Sequence, residues 1–134
     1  MRILIQFKNF ENVCNFLLLF DIGLVVITKF LGQACTLIET KNERIIVDPW
    51  IVGPCNVNSW YTLRSKAATV KNIPTDVDYI YISHEHPDHF SPNFFLNKEY
   101  QSILLKKKVK ILFQETKDKR VLSFLQKILL QHFR

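Results

Sequence analysis

The sequence predicts an α+β fold, and three observations carry that expectation. Residues 24–48 read as three short apolar strands separated by turn residues; Tyr79–Ser83 is an apolar run ending in a histidine cluster; and Val109–Phe113 is followed by a helix-patterned segment from Asp118. The chain has 134 residues, 48% hydrophobic and 13% aromatic, which suits one domain with a sizeable core.

Taken in order, residues 1–23 are an uncertain N-terminal extension. Ile3, Ile5 and Phe7 alternate as in a strand, while Val13, Phe16, Leu17 and Phe20 space as one helix face. The greasy run Asn15–Ile27 is interrupted by Asp21 and is shorter than the ~20 apolar residues a membrane span needs, so no span is expected. With Glu11 in its would-be basic region and no small-residue cleavage site, it also fails as a signal peptide. From Leu24 the pattern is β. Leu24–Phe30, Cys35–Thr40 and Arg44–Asp48 are the strands, joined by turns at Gly32-Gln33 and Lys41-Asn42, and together they form a meander. Pro49 then stops pairing and commits the chain to a loop. On these mechanics alone Asp48 is either a turn-initiating side chain or a functional carboxylate.

Residues 50–75 read as a long loop with one helical turn near Trp60–Ser65. Trp50 and Trp60 either line a pocket or pin the loop by packing, and Arg64 and Lys66 either meet an anion or face solvent. After the histidine cluster, Ser91 and Pro92 have the chemistry of an N-cap and first helical position, so a short helix follows. Asp118 is placed to cap a last helix whose apolar face is Val121, Phe124, Leu125, Ile128 and Leu129. His132 continues that face and reads as structural.

The chemistry is concentrated in His84-Glu-His-Pro-Asp-His89. In an extended strand side chains alternate, so His84 and His86 leave its end on the same side and can close on one ion. Pro87 turns the chain and lets Asp88 and His89 approach from a second direction, which allows a second ion. Imidazole and carboxylate together favour zinc, and iron and manganese accept the same donors, so the expected cofactor is one or two divalent ions. Three cysteines, Cys14, Cys35 and Cys55, lack Cys-x-x-Cys spacing and fit reduced thiols in the cytoplasm better than a disulfide framework or a zinc ribbon. A net charge of +6 allows an anionic small-molecule substrate. Lys106–Lys108 is the only dense basic run, which reads as a solvated surface, and nucleic acid is not the expected partner. No repeat, low-complexity tract or glycine-rich phosphate loop is present.

Ser83-His84-Glu85-His86-Pro87-Asp88-His89 resembles the signature of the metallo-β-lactamase-fold hydrolases. Within that superfamily, Gly32-Gln-Ala-Cys35, Asp48-Pro-Trp50, Gly53-Pro54, Trp60 and the strand from Tyr79 are similar to the branch with CMP-N-acetylneuraminate hydroxylase-like and N-acylphosphatidylethanolamine phospholipase D-like proteins. The resemblance implies the N-terminal half of an αββα sandwich over 24–134, with a mostly antiparallel sheet, flanking helices and an edge or face left uncovered. It implies metal ligation by His84, His86, Asp88 and His89, with Asp88 also orienting the attacking water and Asp48 supporting a ligand histidine from behind. The further ligands of that family are expected from a region beyond these residues. The expectation is therefore a metallo-hydrolase portion with little activity alone, completed by a complementary chain or by self-association. The alternatives are a non-catalytic interaction subunit and, less favoured, a nuclease of the same superfamily. Hydroxylase relatives carry a Rieske centre, whose paired Cys and His ligands this sequence lacks.

Overall fold

Six strands form one mixed sheet in a computed structural model that describes residues 4–7, 26–51, 53–54, 59, 73–101, 109–114 and 117–131. The strands are β1 (Leu4–Phe7), β2 (Ile27–Gly32), β3 (Cys35–Glu39), β4 (Arg44–Val47), β5 (Tyr79–Ile82) and β6 (Lys110–Gln114), in the spatial order β1-β6-β5-β4-β3-β2. The helices are α1 (Pro92–Leu96) and α2 (Arg120–Gln131), and residues 98–101 are also helical.

The expected meander is present as β2, β3 and β4, paired antiparallel. Its first turn works because Gln33 takes a left-handed φ of 49° after Gly32. At the second, the Thr40 hydroxyl accepts from the Glu43 amide at 3.0 Å and closes the corner. Beyond β4 the sheet departs from the mostly antiparallel expectation. The pairs β4–β5, β5–β6 and β6–β1 are parallel. The physical reason is connection length, since residues 48–78 and 83–109 are long enough for the crossovers that parallel neighbours require, whereas the meander has only tight turns. The α+β class stands. Residues 4–7, in the stretch set apart as an uncertain extension, join the sheet beside β6.

Parallel central strands are covered on both faces, and β5 shows the signature, with all four residues of Tyr79–Ile82 buried. Alternation divides them. Ile80 and Ile82 join Ile46, Leu37, Ile111 and Phe113 in the main core, while Tyr79 and Tyr81 sit with Ile45 and Leu112 in a second cluster. The main core is closed by Phe94 and Phe95 of α1 and by Val121, Leu125 and Ile128 of α2. Each such side chain, fully buried, contributes about 1.5–3 kcal/mol. Leu129, also assigned to that apolar face, has a side chain outside the described set. The Asp118 cap takes the form of an Asx turn, its Oδ1 accepting the Arg120 amide at 2.8 Å. Ser91 stands at the N-cap of α1 without a side-chain cap bond. At the other margin, β2 leaves Phe30 71% exposed and Ile27, with Val26 just before the strand, about half exposed, an apolar edge. Among the described residues no helix is long and apolar enough to cross a membrane.

Candidate metal centre

The site lies at the carboxyl ends of the parallel strands β4 and β5, where the chain leaves the sheet twice. At the end of β4, Asp48 still donates its amide to the Tyr81 carbonyl at 2.9 Å, then takes a φ of 46° that turns the chain away. Aspartate is among the few non-glycine residues that tolerate that conformation. The Trp50 indole is buried and donates to the Gly53 carbonyl at 3.0 Å, so of the two roles open to it the structure supplies the packing one. Trp60, Arg64, Lys66, Lys106–Lys108 and His132 lie outside the described residues.

At the end of β5, Ser83 is held by its amide, which donates to Asp48 Oδ1 at 2.7 Å. The chain then bends through Glu85 and His86 and turns at residues 87–89, where the His86 carbonyl accepts the amides of His89 and Phe90 at 3.0 and 2.8 Å. This turn folds the motif back on itself. The rings of His84 and His86 are 4.6 Å apart between centroids, and those of His84 and His89 4.0 Å. Ser83, His84 and Asp88 are half-buried and His86 is exposed, so the cluster faces solvent over a buried base.

That base is Asp48, 3% exposed. Its Oδ2 receives His89 Nδ1 at 2.8 Å and the Ser83 hydroxyl at 2.7 Å. A carboxylate bound to Nδ1 leaves Nε2 of His89 outward and without its proton, the condition for metal ligation. Burial in the first place, and then the neighbouring His89 and His86, hold the His84 pKa below its ordinary value, against the pull of Asp48 and Asp88. The neutral ring is the form a metal requires. Behind the site, burial and then the Asp48 charge push the Cys35 thiol up to about 12, so it is an inert core group.

The donor atoms fall in two pairs. His84 Nε2 and His86 Nδ1 are 3.1 Å apart, and His89 Nε2 and Asp88 Oδ2 are 3.6 Å apart. Two nitrogens on one tetrahedral zinc at ~2.0–2.1 Å lie about 3.3 Å from each other, so the first pair needs little adjustment to share an ion and the second is of the same size. The residues present fit a divalent metal. Among the described residues, however, no three His, Cys, Asp or Glu side chains form a preformed metal-holding group. Sequence reasoning brought Asp48, His84, His86, Asp88 and His89 to one place, and the structure has all five there. It missed Ser83, for which the only sequence signal is a hydroxyl residue directly before the first histidine.

A family model described as "Beta-lactamase superfamily domain" matches residues 27–127. The chain belongs to that superfamily. The match accords with the metallo-β-lactamase resemblance drawn from the histidine motif. Among curated relatives of this superfamily member, the cytidine monophosphate-N-acetylneuraminic acid hydroxylase of Macaca mulatta is 37% identical over 71 residues, 53% of this chain and 12% of that protein. The Homo sapiens protein described as the inactive hydroxylase is 36% identical over 69 residues, 52% of this chain and 14% of its length. A solved Parabacteroides distasonis structure described as that of a metal-dependent hydrolase has a TM-score of 0.44 at 21% identity, over 79% of this chain and 36% of that one. The chain thus spans about an eighth of the length of the curated relatives it matches.

Proposed function

We propose that this superfamily domain takes part in metal-dependent hydrolysis, with His84 and His86 as donors to one divalent ion and Asp88 and His89 as donors to a second. The observation that carries the reading is the pairing itself: two donor pairs at 3.1 and 3.6 Å, one of them anchored by a buried carboxylate. A bound divalent ion would supply Lewis acidity and lower the pKa of its bound water to about 7. The chain's own residues do the rest. Asp48 holds the His89 ring with Nε2 outward. Asp88, half-buried at the rim, accepts a hydrogen bond from the attacking water and aligns it with a carbonyl or phosphoryl centre. Zinc suits the donor set best, and iron and manganese accept the same atoms.

Two protein donors for each ion are fewer than the three plus water usual in catalytic zinc sites. The reading therefore has further donors coming from outside the described residues, in a longer chain or a second chain, with weak metal retention and slow turnover by this polypeptide alone. Ester and phosphodiester hydrolysis measured with and without added zinc tests it. Activity is expected to require metal and to vanish in His86→Ala; metal-independent turnover, or turnover unchanged in that variant, overturns it. A second reading, as an interaction module, is favoured by the exposed Ile27 and Phe30 on edge strand β2 and the exposed Val26 just before it. It predicts self-association or capture of a complementary chain with no hydrolysis under any metal.

A further inference from the structure

Ser83 stands at the centre of the site. Its side-chain oxygen is 2.7 Å from Asp48 Oδ2, 2.9 Å from His84 Nδ1 and 3.3 Å from His89 Nδ1, and its amide binds the other oxygen of the same carboxylate at 2.7 Å. A hydroxyl has one proton to donate and two lone pairs to accept with, and an ionised carboxylate only accepts. The short contact with Asp48 therefore takes the Ser83 proton. Nothing is then left for Ser83 to donate to His84, so His84 Nδ1 must carry the proton and donate it to Ser83. His89 Nδ1 lies nearer to Asp48, at 2.8 Å, and donates there. The direction of every bond follows from the one charge at Asp48.

We propose that Ser83 is a positioning residue that sets the ring tautomer of His84, so that His84 and His89 both turn an unprotonated Nε2 toward the ions. The buried Asp48 reaches His89 directly and reaches His84 only through the serine hydroxyl. His86 fits the same order in the metal-free chain: His84 Nε2, without a proton, accepts from His86 Nδ1 at 3.1 Å, and for Nδ1 to serve as a donor to metal the His86 proton would move, through solvent, to its own Nε2. Without the hydroxyl, His84 Nδ1 loses its acceptor, the ring samples both tautomers, and the form with a proton on Nε2 cannot ligate. The inference rests on the reading of His84 as a metal ligand, but the tautomer it assigns exists before any metal arrives.

The test uses the full chain, metal-free, labelled with 15N in its histidine rings, as wild type, Ser83→Ala and Ser83→Thr. Ser83→Ala keeps the amide bond to Asp48, and thermal unfolding followed by circular dichroism checks that each variant is folded. Ring nitrogen shifts are expected to show His84 with its proton on Nδ1 in the wild type and in Ser83→Thr, and a mixture of tautomers in Ser83→Ala. Zinc affinity, read by competition with a chromophoric chelator, is expected to fall on the order of 10–100-fold in Ser83→Ala and to be restored in Ser83→Thr, the usual effect of losing a partner behind a ligand. A His84 proton on Nε2 in the wild type overturns the inference, as does a Ser83→Ala ring indistinguishable from wild type. So does a loss in Ser83→Ala that Ser83→Thr does not repair. If the wild type binds no zinc yet the tautomer shifts as described, the metal reading fails and the role of Ser83 in setting the ring stands.

Discussion

Replacing Asp48 with asparagine keeps the size and backbone preference of the side chain and removes only its charge. Asparagine tolerates the φ of 46°, so no backbone strain is added. Three donors now converge on the carboxylate: the Ser83 amide, the Ser83 hydroxyl and His89 Nδ1. The amide oxygen of asparagine can serve the Ser83 amide, but its NH₂ group faces the other two donors. Relief requires the serine to accept instead of donate and His89 to move its proton to Nε2, which is the wrong nitrogen for a metal. Hydrogen bonds to a charged group contribute about 1.5–3 kcal/mol and neutral ones about 0.5–1.5, so three such exchanges cost about 3 kcal/mol, within a domain stability of about 5–15. Asp48→Asn is therefore expected to fold, with a lowered urea midpoint, and to lose zinc affinity at His89. Asp48→Ala is expected to fare worse. It leaves up to three donors unpaired at about 1–3 kcal/mol each and adds about 1–2 kcal/mol for a left-handed alanine. Urea unfolding of the metal-free chain and zinc titration of the same samples are the assays. An Asp48→Asn protein that matches wild type in both midpoint and zinc affinity rules out this role for the Asp48 charge.

Other outcomes follow from the same geometry. Ile80, fully buried on β5, is expected to cost about 2–5 kcal/mol on truncation to alanine, read from the urea midpoint. Cys35, buried and with its thiol pushed up to about 12, is expected to resist iodoacetamide at pH 8 in the folded chain and to react in urea, as mapped by peptide mass spectrometry. Because the His84 pKa is lowered on folding from its ordinary 6.5, the unfolded chain takes up that proton first. Its contribution to stability is complete above the unfolded value and is lost as pH falls through the folded one. Urea midpoints of the metal-free chain are expected to drop between pH 7 and 5, and to drop less in His84→Asn.

The meander and the motif were legible because their signals are local. Turn residues at Gly32-Gln33 and Lys41-Asn42, the short apolar runs on either side of them, and Pro87 after His86 act over a few residues, and the structure follows them. The parallel pairings were not legible, since Ile46 beside Ile80 and Ile80 beside Ile111 are set by crossovers whose length the sequence shows but whose direction it does not. The same limit hid Ser83. Its bonds run to Asp48 across 35 positions, and only the parallel register of β4 and β5 brings the two strand ends together. Asp48 was open to two readings as a turn residue or a functional one, and the structure puts it at a left-handed corner with its side chain returned to the histidines.

His84, His86 and His89 are proposed to hold metal together, with Asp48 behind them. A zinc titration of the full chain, followed through the ring 1H–15N signals of its four histidines, tests it most directly. His84, His86 and His89 are expected to respond together as zinc is added, Asp48→Asn to remove the response of His89, and His132 to stay in place. Zinc that moves only His132, or that binds with no response from the three motif histidines, contradicts it.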